Sequence, residues 1–337
     1  MKKLKIIFFL SFFFIIIVVF VCIFFASKNL FEKTPEIPKE ENLIIGFSQI
    51  GSESSWRLRN TESIFEAATE RNIKILFDDA KQKQSNQLKA IRSFIVYQVD
   101  AIVFVPIVST GWDNVLQEAK EAQIPVIVID RQIDVDPSLY EGFLGENGFE
   151  EGKSAGEFLL KKCASIKKDS INILELSGTE NSSIAVERAG GFFETVKKDS
   201  RLKIIHSEDG DFLRSRGKEI TEKIIKQNNG LLLGENSIDV IFSHNDQMTL
   251  GALESLENNN INEFPIIISI DAEQESIDAL VQGKLNCVVE CNPNLGPILM
   301  NLVQDVIDGK KIPRITYMEE SVFTENDDFS AYLPRGY

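Results

Sequence analysis

The chain has 337 residues, enough for two domains with substantial cores, and 43% hydrophobic and 26% charged residues are the proportions of a globular protein. Its 51 acidic residues outnumber 36 basic ones, and a net charge of −15 is the wrong sign for gripping nucleic-acid phosphates. Two histidines, His206 and His244, without His-x-x-x-His or H-E-x-x-H spacing, do not make a metallohydrolase.

The first residues, MKKLK, are basic, and an apolar stretch follows over residues 6–26. It is longer than the apolar region of a secretion signal and matches the roughly 20 residues a helix needs to cross a bilayer. Cleavage after Ala26 is disfavoured by Phe24, and lipid modification of Cys22 by Val21. Residues 1–27 therefore read as an N-terminal membrane anchor or signal, the uncleaved anchor being preferred, with its lysines in the cytoplasm and everything after it outside. Residues 28–42, with Pro35 and Pro38, read as a short tether.

From residue 43 the pattern repeats. Strand-like runs at 43–47, 73–77, 101–105 and 126–129 alternate with helical periodicity at 61–71, 85–98 and 114–122. After a glycine-rich region at 145–152 the alternation restarts, with strands at 171–176, 202–206, 239–242, 266–270 and 285–290. Helices at 184–198, 214–227, 247–257 and 273–282 separate them. This βαβα order predicts two similar α/β domains, each a doubly wound parallel sheet covered by helices. The clearest strand is in IPVIVIDR (124–131), whose β-branched run suits a strand buried on both faces.

Ligands of open α/β sheets sit beyond the carboxyl ends of the strands, so those ends hold the candidate residues. The first leads to Trp56 and Arg57. The third leads to Trp112, which reads as the start of a helix packed inward. The fourth ends in Asp130 and Arg131, either a surface ion pair or a binding pair. In the second half come Arg188 in AVERAGGF, Phe212 in GDFLR, His244 and Asn245 after IDVIFS, and Asp271 after PIIISI. Asp246 reads as a cap for the next helix. Arginines that donate, carboxylates that accept and aromatics that cover C–H faces suit a polyhydroxylated ring between two domains.

No G-x-x-x-x-G-K-[ST], strand-borne G-x-G-x-x-G or G-x-S-x-G is present, so neither a nucleotide cofactor nor a nucleophile is implied and the chain does not read as an enzyme. Cys163, Cys287 and Cys291 are too few for a disulfide framework. The last two share one face of a strand and read as small buried residues.

The ordered motifs GFSQ, GSES-WR, DDAKQKQSNQLKAIRSF, VDAIVFVP, IPVIVIDR, VERAGGF, GDFLRS, HNDQM, SIDA and the final GY resemble the periplasmic sugar-binding proteins of the ribose and galactose type, above all their galactofuranose-binding subgroup, which serves ABC importers. No helix-turn-helix precedes them, unlike the related repressor cores. The resemblance implies a type I periplasmic binding protein: two lobes joined by a three-strand hinge, closing on one monosaccharide and needing no cofactor. The lobes are expected at 43–147 plus 293–316 and at 148–290 plus 320–337. It implies sugar contacts from Trp56, Arg57, Asp130, Arg131, Arg188, Phe212, Asn245, Asp271 and Glu290, with Ala272 standing where glycine is usual. The implied partners are an ABC permease with its ATPase, for a monomer tethered in the periplasm or cell envelope by residues 6–26. An anchored receptor for a sensor kinase or chemoreceptor is the alternative.

Overall fold

The computed structural model of the chain describes residues 43–234, 236–329 and 333–337. The expected anchor (1–27) and tether (28–42) lie outside them. Among the described residues no helix is long and apolar enough to cross a membrane.

Strands β1 (Ile44–Gln49), β2 (Lys74–Asp79), β3 (Ala101–Phe104), β4 (Val126–Asp130) and β5 (Gly142–Gly145) alternate with helices α1 (Ser55–Glu70), α2 (Gln84–Tyr97) and α3 (Asp113–Glu121). Together with β13 (Ile315–Tyr317) these strands form a parallel sheet of order β13-β5-β4-β3-β1-β2. Within β4, Ile127 and Ile129 join one apolar layer and Val126 and Val128 the other. A strand sealed on both faces needs no polar alternation, which is why IPVIVIDR reads as one continuous run.

The second half repeats the scheme with α4 (Gly148–Cys163), β6 (Ile171–Ser177), α5 (Ser183–Val196), β7 (Leu202–Asp209), α6 (Arg214–Asn228), β8 (Leu232–Leu233), β9 (Asn236–Ser237), β10 (Val240–Ser243), α7 (Asp246–Asn258), β11 (Ile266–Asp271), α8 (Gln274–Val281) and β12 (Cys287–Glu290). Its main sheet has the order β14-β12-β11-β10-β6-β7, parallel except for β14 (Val322–Thr324), which lies antiparallel to β12. β8 and β9 form a separate hairpin.

The chain passes between the sheets three times, through residues 146–147, 291–295 and 318–321. After the second passage, helix α9 (Gly296–Ile307) returns to the first sheet. There Gly296 N–H donates to Ser63 Oγ at 3.0 Å, and Leu299, Met300 and Val303 enter the core beside Phe47 and Ile64. β13 then completes the first sheet and β14 the second.

Trp112 caps the start of α3, fully buried, with its indole N–H donating to Val108 O at 2.8 Å. Two starts differ from the sequence pattern. Helix α1 begins at Ser55, six residues before the predicted 61, because Ser54 Oγ accepts from Arg57 N–H and turns the chain early. Helix α4 was not expected at all. Its Gly148, Gly152 and Gly156 read as a loop, yet at a spacing of four they share one helix face and let α5 approach at backbone contact. A Cβ on Gly152 would lie 2.0 Å from Arg188 O, and one on Gly191 of α5 would lie 2.0 Å from Phe149 O.

That contact fixes where Arg188 stands. Gly152→Ala is expected to force the helices apart and cost about 1–3 kcal/mol, read as a lower urea midpoint. An unchanged midpoint would mean that the helix pair yields without loss.

Candidate functional site

Both sheets reverse strand order, beside β1 and β3 in one and beside β6 and β10 in the other, and the carboxyl ends at these switch points face a common cavity. About 370 Å³ there is free of protein atoms, counted out into the open solvent at its mouth. Glu53, Ser54, Trp56, Arg57, Asp130 and Arg131 line it from the first half, Ile184, Arg188, Phe212, Asn245 and Asp271 from the second, and Cys291 from a crossing.

The first wall is an ion-pair ladder. Arg57 donates to the Asp130 carboxylate and, through Nε, to Glu53 at 3.3 Å, with its guanidinium 4.6 Å from the Trp56 ring centre. Trp56 spans to the other half: its backbone N–H donates to Glu273 at 2.8 Å, and its indole N–H to Cys291 O at 2.6 Å. The ring is 4% exposed, so it is a buried wall instead of an open platform.

Arg131 crosses the cavity. Its guanidinium sits 4.9 Å from the Phe212 ring centre, in the range for a cation–π contact, and NH1 donates to Ile107 O at 3.2 Å. Its Nε is buried without a hydrogen-bond partner among the described residues. Burial pulls Arg131 down to about 10, with Asp130 opposing and Arg57 adding to the fall, so it is still a cation at neutral pH. A buried, charged, unspent donor is costly unless something fills the space in front of it.

In the opposite wall Arg188 is held by Glu151 through Nε at 2.7 Å and NH2 at 3.1 Å, while NH1 donates to His244 O at 2.6 Å. Asp271 lies 3.9 Å from Arg188 NH2. Burial raises the Asp271 carboxyl well above its usual range, against the pull of Arg188 and helped by Asp246 and Glu273. Backbone strain gathers here: Asp130 (φ 64), Phe212 (φ 61), Asp271 (φ 127) and Ala272 (φ 68) all have positive φ. Ala272 thus occupies a conformation that glycine adopts more readily.

Eight of the nine residues proposed from sequence therefore meet at one cavity, and Glu290 does not. Its carboxylate pairs with Arg335 and accepts from Ser321 N–H at 3.0 Å, fastening the C-terminal segment. Asn245 reaches the cavity but also serves the fold: Oδ1 accepts from Met248 N–H at 3.0 Å as the cap of α7, and Nδ2 donates to Phe212 O at 3.2 Å. It takes the capping role that the sequence suggested for Asp246. The Asp246 carboxylate instead accepts from Ser269 Oγ at 2.5 Å and from Glu273 N–H at 2.7 Å. His244 accepts from Gly178 N–H at Nδ1, so Nε2 faces Glu175 as a donor. Glu53, Ser54, Ile184 and Cys291 are lining residues the sequence reading missed. Cys287 and Cys291 are buried free thiols in one apolar cluster.

The cleft is shut. Ser109 N–H donates to Asn181 O at 3.1 Å, Gln132 N–H to Ser183 Oγ at 2.7 Å and Gln132 Nε2 to Glu187 at 3.1 Å, each across from the first half to the second.

Two parallel-sheet domains, three crossings and a charged cavity between the strand ends define a type I periplasmic binding protein. The family profile described as "Periplasmic binding protein domain" matches residues 45–311, and the chain belongs to that family. It is a solute-binding protein that works outside the cytoplasm, and not an enzyme. Among its relatives, galactofuranose-binding protein YtfQ of Escherichia coli (strain K12) is 40% identical over 83% of this chain and 87% of its own. A Mycobacterium smegmatis structure in complex with β-D-fucofuranose is 42% identical, with a TM-score of 0.81 over 87% of this chain and 94% of that one. The binding component of the arabinose ABC transporter from Shewanella sp. ANA-3, bound to α- and β-L-arabinofuranose, is 37% identical, with a TM-score of 0.78 over 84% and 92%.

Replacing Glu151 with alanine strands the Arg188 guanidinium without its carboxylate. A stability loss of about 3–5 kcal/mol is expected, measured by equilibrium urea unfolding, and a loss below 1 kcal/mol would remove the pair from the structural core.

Proposed function

We propose that this protein captures one monosaccharide, in its furanose ring form, by hinge closure and delivers it to an ABC importer. The observation that carries the reading is Arg131: a buried guanidinium stacked on Phe212 from the other half, with its Nε–H unpaired beside the cavity. A sugar hydroxyl or ring oxygen supplies the missing acceptor. The remaining roles follow from chemistry. Arg57 and Arg188 are already braced by Asp130 and Glu151, so they meet the ligand preorganised. Asp130 and Asp271 hydrogen-bond the sugar hydroxyls, Phe212 and Trp56 cover the carbon skeleton, and Asn245 adds an amide.

Closure shields these contacts from water and strengthens each hydrogen bond through the lower local dielectric. Ligand binding is then what holds the halves together long enough to be recognised by a permease. The furanose form is favoured by the ligands named for the three similar proteins, galactofuranose, fucofuranose and arabinofuranose. Import is favoured over sensing because the arabinofuranose-bound relative is itself a transporter component. Residues 6–26 keep the protein at the membrane beside its permease.

Thermal-shift and calorimetric titration of the purified protein with galactofuranose, arabinose, fucose, ribose and glucose is the direct test. A sugar that binds the folded form must raise the melting temperature. Arg131→Ala is expected to weaken that sugar by about 1–3 kcal/mol, roughly 5- to 150-fold. Unchanged affinity in the variant, or no response to any sugar, would refute the assignment.

A further inference from the structure

The three crossings meet behind the cavity, and each plants an ionisable group there: Glu146 on the first, Cys291 on the second and Glu320 on the third. Helix α4 adds Glu151. One oxygen or sulfur atom from each of Glu151, Cys291 and Glu320 lies within 4.8 Å of the others. Glu146 is 1% exposed, and both its carboxylate oxygens are buried without a hydrogen-bond partner among the described residues.

The surroundings offer these acids little relief. Glu146 faces Asp130 at the end of β4, Glu320 and Glu151. Glu320 faces Glu151 and, on β12, Glu290, with Arg188 of α5 as the cation, and accepts from Asn292 N–H at 3.4 Å. Cys291 faces Glu146, Glu151 and Asp271, again with Arg188 as the cation. Arg188 is already committed to Glu151 through two bonds, and Asp130 to Arg57. Among the described residues Glu146, buried, and Glu320, half-buried, are left as carboxyls with no cation of their own.

Burial, reinforced by Asp130, Glu320 and Glu151, raises Glu146 well above the carboxylate range. Burial and Glu151 push Glu320 up to about 10, with Arg188 opposing. In the shut molecule Glu320 therefore carries a proton at neutral pH, and Glu146 is pushed in the same direction.

We propose that the hinge is a proton-linked latch: closing the cleft on its sugar takes up protons at Glu146 and Glu320, so capture is tightest in acid and weakens as the medium becomes alkaline. The sugar part of this statement rests on the function proposed above. Opening the cleft lets water reach its floor, which Cys291 shares with the cluster, and the acids return toward ordinary carboxylate behaviour. A group whose acidity is weaker in the closed form favours closure fully below its open-form pKa, and that contribution is lost as pH rises through the closed-form value. For Glu320 the window runs from the ordinary carboxylate range, near ~4.3, to about 10.

Calorimetry of sugar binding at pH 7.5, in buffers of different ionisation enthalpy, is expected to show net proton uptake by the wild-type protein. Between pH 6 and 9 its affinity should fall, by up to about tenfold per pH unit for each proton taken up. Glu146→Gln and Glu320→Gln, whose amides stand in for the protonated acids, should each reduce the uptake, and the double variant should make the profile shallower still, the remaining slope belonging to Asp271, whose carboxyl burial also raises. Zero uptake in the wild type with a flat profile would overturn the proposal, as would an effect abolished by EDTA alone, which would assign the neutralising charge to a bound cation. A ligand-free arm separates the two ideas. In a ligand-free protein held shut by a disulfide between Ser109→Cys and Asn181→Cys, which face each other across the cleft, the melting temperature should drop from pH 6 to 9 more steeply with the wild-type hinge than with the double variant whether or not a sugar is found. Parallel slopes would overturn the latch, whereas a reduced slope in a protein that binds no sugar would support proton storage in the hinge and refute the sugar reading alone.

Discussion

The bidentate pair between Arg188 and Glu151 is the contact on which the most depends. It ties α5 to α4, turns one edge of the guanidinium toward Asp271 and the cavity, and consumes the cation that would otherwise neutralise the hinge acids. A buried pair of this kind contributes little net stability, because desolvating two ions offsets most of their attraction. What it supplies here is position. The glycines of α4 are the precondition, since only a missing Cβ lets the two helix backbones meet closely enough for so short a bridge.

Much of this was legible in the sequence. Buried parallel strands announce themselves as apolar runs, and a polar residue just past such a run stands at the carboxyl end of the sheet. Asp130, Arg131 and Asp271 could be named on that ground, and the structure brings them to one cavity. Glu290 shows the limit of the method. Adjacent strand residues point to opposite faces, so a one-residue uncertainty at the end of β12 exchanged the cavity-lining Cys291 for a neighbour that turns toward the C-terminal segment. No composition or periodicity argument resolves a step of one.

Helix α4 was illegible for another reason. Glycine weakens any helix on propensity alone, and three of them in one stretch look like a loop until the partner helix is known. The benefit of each missing side chain lies in a contact with α5, which local sequence does not contain. The hinge acids were hidden likewise: Glu146 and Glu320 lie far apart in the chain, and three separate crossings must converge before they become neighbours. The ends of single strands are local facts, and crossings are not.

The order in which the sheets are completed has a consequence for biogenesis. The first sheet receives α9 and its edge strand β13 only after nearly all of the second has been laid down, and the second waits for β14 beyond that. A polypeptide emerging amino end first therefore cannot finish either domain until its last tenth has appeared. Each domain can therefore reach its final form only once the whole chain has been delivered.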